Sequence, residues 1–335
     1  MDPYSAADAM RRLPGVVIDD QALLLGIDIG GTKTAAGVVA PDGRTLSFHV
    51  EPTPRDADAE SLFAFVVSLA ERARDGFRDR VMAAGVGCGG PMIYPDGIVS
   101  PLFIPAWRSF PLRARLASAL SLPITLDNDA NAFALGEAMF GVGRGARYML
   151  GMIVSTGVGG GIVVDGRVFH GATGNAGHIG HTIVSAEGPR CSCGAVGCLT
   201  AYASGTGLVA RAQSGIQAGM PTTLATLSEG ALTGQAIAEA AASGDAFATE
   251  LIHDAGVAIA WGIVDAASLL DLDRVVLGGG LIQAGEILLD SLRNELRERA
   301  RLPFTRDLDI RMTAAAREAG VIGAAALCLQ EQPGT

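Results

Sequence analysis

The strongest constraint on how this chain folds is a pattern that occurs twice. Residues 23–50, LLLGIDIGGTKTAAGVVAPDGRTLSFHV, read as an apolar strand, a glycine turn, a second strand, an Asp42-Gly43 hairpin and a third strand. RYMLGMIVSTGVGGGIVVDGRVFHG, from Arg147, reads the same way, with its hairpin at Asp165-Gly166. An Asp-Gly pair accepts the positive φ angles that a two-residue turn demands, and the repetition implies an internal duplication with two related sheets. Between the copies lie a helix in AESLFAFVVSLAERARDGF, a strand in VMAAGVGCGGP and a helix in NAFALGEAMFG. Further on, RVVLGGGLIQAGEILLDSLRNELRERA predicts a strand, a triple-glycine turn and a long helix, and REAGVIGAAALCLQ one more apolar helix. That order is α/β. The chain has 335 residues, and at roughly 150 per domain it makes two lobes. No Pro/Ser linker separates them, so they are expected to share a cleft.

Composition removes several classes of function. Twenty-five basic against 35 acidic side chains leave a net charge of −10, without the broad positive field that nucleic acid or anionic lipid requires. No stretch approaches the ~18–20 uninterrupted apolar residues of a membrane helix; AGVAIAWGIV stops at Asp265. The start, MDPYSAADAMRRLPGVVIDD, lacks the apolar segment of a secretory signal, so residues 1–21 are expected to be a polar extension and the protein cytoplasmic.

Two turns have the chemistry of phosphate cradles. DIGGTKT sets Asp28 at a strand end, then Gly30 and Gly31, with Thr32 and Thr34 around Lys33, the one lysine in the chain. Glycines let backbone N–H groups approach a phosphate, and hydroxyls add donors. STGVGGG offers Thr156, Gly157 and Gly159 in the same setting. A third turn, Gly278 to Gly280, lies between a strand and a helix, where bare backbone at Gly279 and Gly280 and a helix N-terminus would border a nucleotide. A plain tight hairpin accounts equally for a single Gly-Gly-Thr. Neither a GxxxxGK[ST] loop nor a full dinucleotide fingerprint occurs, so the combination points to phosphoryl transfer outside those folds.

LDNDANAFALGE packs Asp127, Asn128, Asp129 and Asn131 where a strand gives way to a helix. Asn128 or Asp129 can simply cap that helix; Asp129 can also accept a proton from a substrate hydroxyl, since phosphoryl transfer needs little beyond positioning and charge neutralisation. His181, ten positions before Cys191, joins Cys191, Cys193 and Cys198 in a Cys3His set, the composition of a closed, structural zinc site. His178 stands three residues earlier, with one of the two rings expected in the cleft. His49, His170 and His253 read as surface or packing histidines, Cys88 and Cys328 as buried inert thiols.

GIDIGGTK, VSTGVGGG, NDAN, GHT with CSCGAVGC, and VVLGGGLI together resemble the ROK family (repressors, open reading frames, kinases) within the actin-like ATPase superfamily, from Leu24 to Gln330. The resemblance implies two actin-like, ribonuclease H-like lobes around a central cleft. It implies an N-terminal extension (1–21), a small lobe (22–128), a large lobe with the zinc knuckle (129–317) and a C-terminal helix (318–335) returning to the small lobe. It also implies an ATP- and Mg²⁺-dependent sugar kinase acting on a hexose 6-hydroxyl, commonly a homodimer. By the same resemblance Asp129 is the base, and Asn128, His181 and the backbone near Gly90 hold the sugar. Gly30, Gly31, Thr32 and Lys33, with Thr156, Gly157 and Gly159, cradle ATP phosphates, with Mg²⁺ near Asp28.

Two positions depart from the family pattern: His178 and Thr200 stand where glutamates that contact the sugar are usual. AGHIGHT is similar to the same stretch of bacterial N-acetylmannosamine kinases, which points to an amino- or N-acylamino-hexose. A glucokinase with a modified pocket, a kinase for a biosynthetic amino sugar such as kanosamine, and a non-catalytic sugar sensor are the alternatives. The family's repressors carry a helix-turn-helix domain before the first phosphate motif, and the 27 residues ahead of Asp28 are expected to hold none.

Overall fold

A computed structural model describes residues 22–228, 230–283, 285–315 and 317–330; the expected extension at 1–21 lies outside the described residues. The described chain forms two compact units, one of residues 22–151, 161–177 and 313–330, the other of 152–160 and 178–312. Residues 129–151, which the sequence reading assigns to the second lobe, lie in the first unit, because their helix packs on the C-terminal helix of that unit.

The first unit is built on a five-stranded sheet of β1 (Leu23–Ile29), β2 (Lys33–Val39), β3 (Thr45–Pro52), β4 (Val81–Cys88) and β7 (Ile124–Asn128), in the order β3-β2-β1-β4-β7. A small hairpin of β5 (Met92–Ile93) and β6 (Ile98–Val99) precedes β7. β1 runs antiparallel to β2 and parallel to β4, and β4 parallel to β7. The strand period of two divides β1 between two cores. Leu23, Leu25, Ile27 and Ile29 face helices α1 (Ala59–Ala73) and α2 (Leu112–Leu120), with Trp107 and Phe110. Leu24 faces the opposite layer, with Val321 and Ala325.

That opposite layer rests on a row of glycines. Gly37, Gly26 and Gly85 are register partners on β2, β1 and β4. A Cβ on Gly26 would collide with the carbonyl of Val321, and one on Gly85 with that of Ala324. The C-terminal helix, Ala319–Ala326, therefore lies with its backbone directly on the sheet, beside α3 (Asp129–Met139). It is the ninth helix labelled below, α9.

The second sheet is β10-β9-β8-β11-β12: β8 (Tyr148–Val154), β9 (Val158–Val164), β10 (Arg167–Val168), β11 (Arg274–Gly278) and β12 (Asp309–Met312). The two Asp-Gly hairpins differ. At Asp165-Gly166 both residues have positive φ, 48° and 75°, as a two-residue turn requires. At Asp42-Gly43 only Gly43 does, and Ala40 exchanges hydrogen bonds with Gly43 and Arg44 while the β2–β3 register slips between Val38 and Val39. The first hairpin is thus a three-residue turn with a bulge.

Helices α4 (Leu199–Ala203), α5 (Gly205–Gln217), α6 (Gly234–Ala242), α7 (Ala246–Leu270) and α8 (Glu286–Arg299) lie in the second unit. α7 has the length and apolar composition to cross a membrane, yet Leu251, Ile252, Ala255, Ile259 and Ile263 are buried among its neighbours, the pattern of a core helix. Asp245 caps it: one carboxylate oxygen accepts from Ala248 N–H (2.9 Å), the other from the N–H (2.6 Å) and hydroxyl (2.7 Å) of Thr223.

Candidate active site

In the first unit three parallel strands end side by side. Asp28 is the register partner of Gly87, and Gly87 of Asp127; Cys88 is the partner of Ile29 and of Asn128. The carboxyl ends of parallel strands are where α/β sheets present functional groups. Alternation puts Asp28 on the face of β1 that meets α9, where a side chain at Gly320 would collide with its carboxylate. Asn128 is the N-cap of α3, its Oδ1 accepting from Ala130 N–H at 3.0 Å, so the capping role falls to it and Asp129 occupies the first helical position. Asp129 is partly buried against the end of β4: a Cβ on Gly87 would lie 3.3 Å from its Cα, and one on Gly89 4.0 Å from its Oδ2.

The two acids feel each other. Burial, with the charge of Asp129 adding and that of Lys33 opposing, raises the Asp28 carboxyl to about 7. Cys88, fully buried at the end of β4, is pushed well above the ordinary thiol range by burial and then by both charges; Cys88 and Cys328 are buried as expected.

The first glycine turn joins β1 to β2 as a β-hairpin. Gly30 N–H donates to the Lys33 carbonyl (3.0 Å), and the Gly30 carbonyl accepts from the buried Thr53 hydroxyl (2.7 Å). Thr32 and Lys33 are exposed at its tip. Gly31 has to be glycine, because a Cβ there would lie 2.5 Å from Phe103 Cβ. Gly90 joins the same unit; its carbonyl accepts from Leu102 N–H at 3.1 Å.

In the second unit the Ser155–Gly157 turn is backed by the start of α5: Gly205 N–H donates to the Ser155 carbonyl (2.7 Å) and Thr206 Oγ1 to that of Thr156 (2.9 Å). Gly159 continues from this turn into β9. Gly279, at φ +97°, abuts the backbone of Val154, and Gly280 faces open space. The helix expected directly after this third turn begins only at Glu286; a 3₁₀ turn, Gly280–Gln283, intervenes, so no α-helix N-terminus adjoins Gly279.

The cysteine knuckle gathers in the same unit. His181 Nδ1 lies 3.7 Å from Cys191 Sγ, and Cys193 Sγ 3.7 Å from Cys198 Sγ; the four ligand atoms all lie within 4.8 Å of one another. A zinc tetrahedron with Zn–S bonds of about 2.3 Å has edges of about 3.8 Å, so the set fits that ion, and the sulfur separations exclude a disulfide. Burial, with His178 adding, holds His181 below the usual imidazole range, favouring the neutral ring that ligates metal. The rings of His178 and His181 are 6.4 Å apart, and His178 is exposed. Thr200 is 5% exposed and turned inward: its hydroxyl donates to the Val158 carbonyl at 3.5 Å, and a Cβ on Gly180 would lie 2.5 Å from it.

One residue read as ordinary packing is not. His170 Nε2 lies 2.6 Å from Asp127 Oδ2, and its ring stacks on Tyr94 at 4.0 Å. The signal in the sequence was Asp127 itself, an acid inside an apolar strand, which requires donors from elsewhere.

Comparison with known proteins agrees along nearly the whole chain. The glucokinase of Halalkalibacterium halodurans is 34% identical over 315 residues, covering 92% of this chain and 95% of that protein. The N-acetylmannosamine kinase of Escherichia coli O7:K1 is 34% identical over 317 residues, 92% of this chain and 99% of that one. Among solved structures, a ROK family glucokinase from Streptomyces griseus in complex with glucose and AMPPNP superposes with a TM-score of 0.78 at 34% identity, over 91% of this chain and 99% of that one. With residues 24–331 matching the family as a whole and both glycine turns, the Asn128-Asp129 loop and the Cys3His cluster in place, this chain belongs to the ROK family.

Proposed function

We propose that the chain is an ATP-dependent sugar kinase that transfers the γ-phosphoryl group to the 6-hydroxyl of a hexose, with an amino- or N-acylamino-hexose as acceptor. The observation that carries this reading is the seat of Asp129 on the first turn of α3, against the end of β4 and in electrostatic reach of Asp28. In this reading Asp129 takes the proton of the acceptor hydroxyl as its oxygen bonds to the γ-phosphorus and ADP leaves. Asn128 and the backbone near Gly90 orient the sugar ring, the Gly30–Lys33 and Thr156–Gly159 turns hold the phosphates, and Gly279 and Gly280 border the nucleoside. The Asp28 carboxyl, raised by burial and then by the charge of Asp129, would be stabilised as a carboxylate by a divalent cation; bound Mg²⁺ would neutralise triphosphate charge. The knuckle would hold one structural zinc, with His181 also facing the sugar, and the molecule would act as a homodimer.

The names of the relatives support a sugar kinase and leave two acceptors in view. His178 and Thr200 favour the amino sugar: without two carboxylates the pocket loses strong acceptors for the glucose hydroxyls. A coupled ADP assay across glucose, mannose, N-acetylmannosamine, N-acetylglucosamine, glucosamine and kanosamine tests this. The highest kcat/KM is expected on an amino or acylamino sugar; highest on glucose, the glucokinase reading replaces it, and turnover of none leaves a sugar sensor. Asp129→Asn is expected to reduce kcat by at least ~10²-fold while sugar and nucleotide still bind by calorimetry. Unchanged turnover removes Asp129 as the base.

A further inference from the structure

Asp127 is a buried carboxylate, 2% exposed, with every oxygen engaged. Its Oδ1 accepts from Asn128 N–H at 2.7 Å and from Asn131 Nδ2 at 2.9 Å, and its Oδ2 from His170 Nε2 at 2.6 Å. Two of those donors, Asn128 N–H and Asn131 Nδ2, belong to the N-cap and first turn of α3, the junction that presents Asn128 and Asp129. The third comes from a distant stretch, just after β10, and its ring orientation is fixed by stacking on Tyr94, at 4.0 Å and 17° between planes. Tyr94 is itself clamped: a side chain on Gly174 would collide with it. Burial and then the Asp127 charge push the Tyr94 phenol up to about 12, so this partner stays neutral.

A buried carboxylate stripped of a donor protonates or turns toward water. Either change at Asp127 loosens the Oδ1 bonds that hold Asn128 and Asn131. Asn131 has no second anchor for its amide, since its buried Oδ1 lacks a hydrogen-bond partner. We infer that His170 is a positioning residue for phosphoryl transfer: through Asp127 it fixes the loop on which Asn128 and Asp129 meet the sugar. The inference rests on the roles proposed above for those two residues.

The test separates the hydrogen bond from the packing. His170→Gln places an amide Nε2 where the imidazole Nε2 donates; His170→Phe keeps the stack on Tyr94 and removes the donor. With the sugar that the acceptor assay selects, His170→Phe is expected to lower kcat ~10- to 100-fold, the range that a loop misplaced by about 1 Å produces. The sugar KM should rise several-fold, with the ATP KM within about twofold of the parent, while His170→Gln keeps kcat within about threefold. A folded His170→Phe with parental kcat and sugar KM overturns the proposal, as does a folded His170→Gln as impaired as His170→Phe. If neither variant folds, ¹⁵N-histidine spectra of the parent decide: a slowly exchanging, downfield Nε2 proton supports the bond to Asp127, and its absence removes it. Parental protein that phosphorylates no sugar sinks the kinase reading instead, and the same spectra still decide the hydrogen bond.

Discussion

Asp28 shows how one side chain can be costly to the fold at a position that the proposed chemistry would use. Its carboxyl titrates near 7 in the folded protein and at 3.8 in an unconstrained chain. Between those values the folded state holds a proton that the unfolded state has lost, so this group's contribution to stability falls as pH rises from about 4 to 7, and above 7 the full cost is present. Asp28→Asn is therefore expected to raise Tm at pH 8 by several degrees, on the order of 2–4 °C per kcal/mol, with little change at pH 4, while turnover is lost; a lower Tm at pH 8 contradicts this. The places of Asp28, Asp129 and the glycines beside them at strand ends, turns and a helix start were legible because such positions have local signatures. His170 was not, because its partner Asp127 lies 43 positions away and no local pattern records such a pairing.

At the level of elements, the knuckle and the hairpins test what a short stretch of sequence can specify. The spacing of His181, Cys191, Cys193 and Cys198 named the cluster outright, since few arrangements of one imidazole and three thiols so close together do anything but converge. Cys193, the exposed member, is the one whose replacement disturbs packing least. Cys193→Ser is expected to take metal content from about one zinc per chain to near zero and to lower Tm; elemental analysis of purified protein checks it, and unchanged metal content rejects the cluster. The Asp-Gly turns carry the opposite lesson. Identical dipeptides made a two-residue turn at Asp165-Gly166 and a bulged one at Asp42-Gly43, because strand register, which the dipeptide does not encode, selects between them. The delayed start of α8 at Glu286 has a similar source: the 3₁₀ turn after Gly280 postpones the helix.

For the whole molecule, the duplicated α/β plan was readable from periodicity, whereas the division into units was not. Sequence order puts the boundary at 128, but α3 packs on α9, and so the chain around it stays with the first unit. The same packing depends on the glycine row. Gly85→Ala is expected to destabilise the protein by about 1–3 kcal/mol, since the added methyl meets helix backbone that cannot move aside as a side chain can; an unchanged urea midpoint would refute this. The row also ties opposite ends of the chain in time. In the order of synthesis, Gly26 and Gly85 come long before Val321 and Ala324, the residues whose backbone packs directly on them. Until their helix docks, the strip around Gly26 and Gly85 is bare apolar surface of the kind that makes incomplete folds prone to associate.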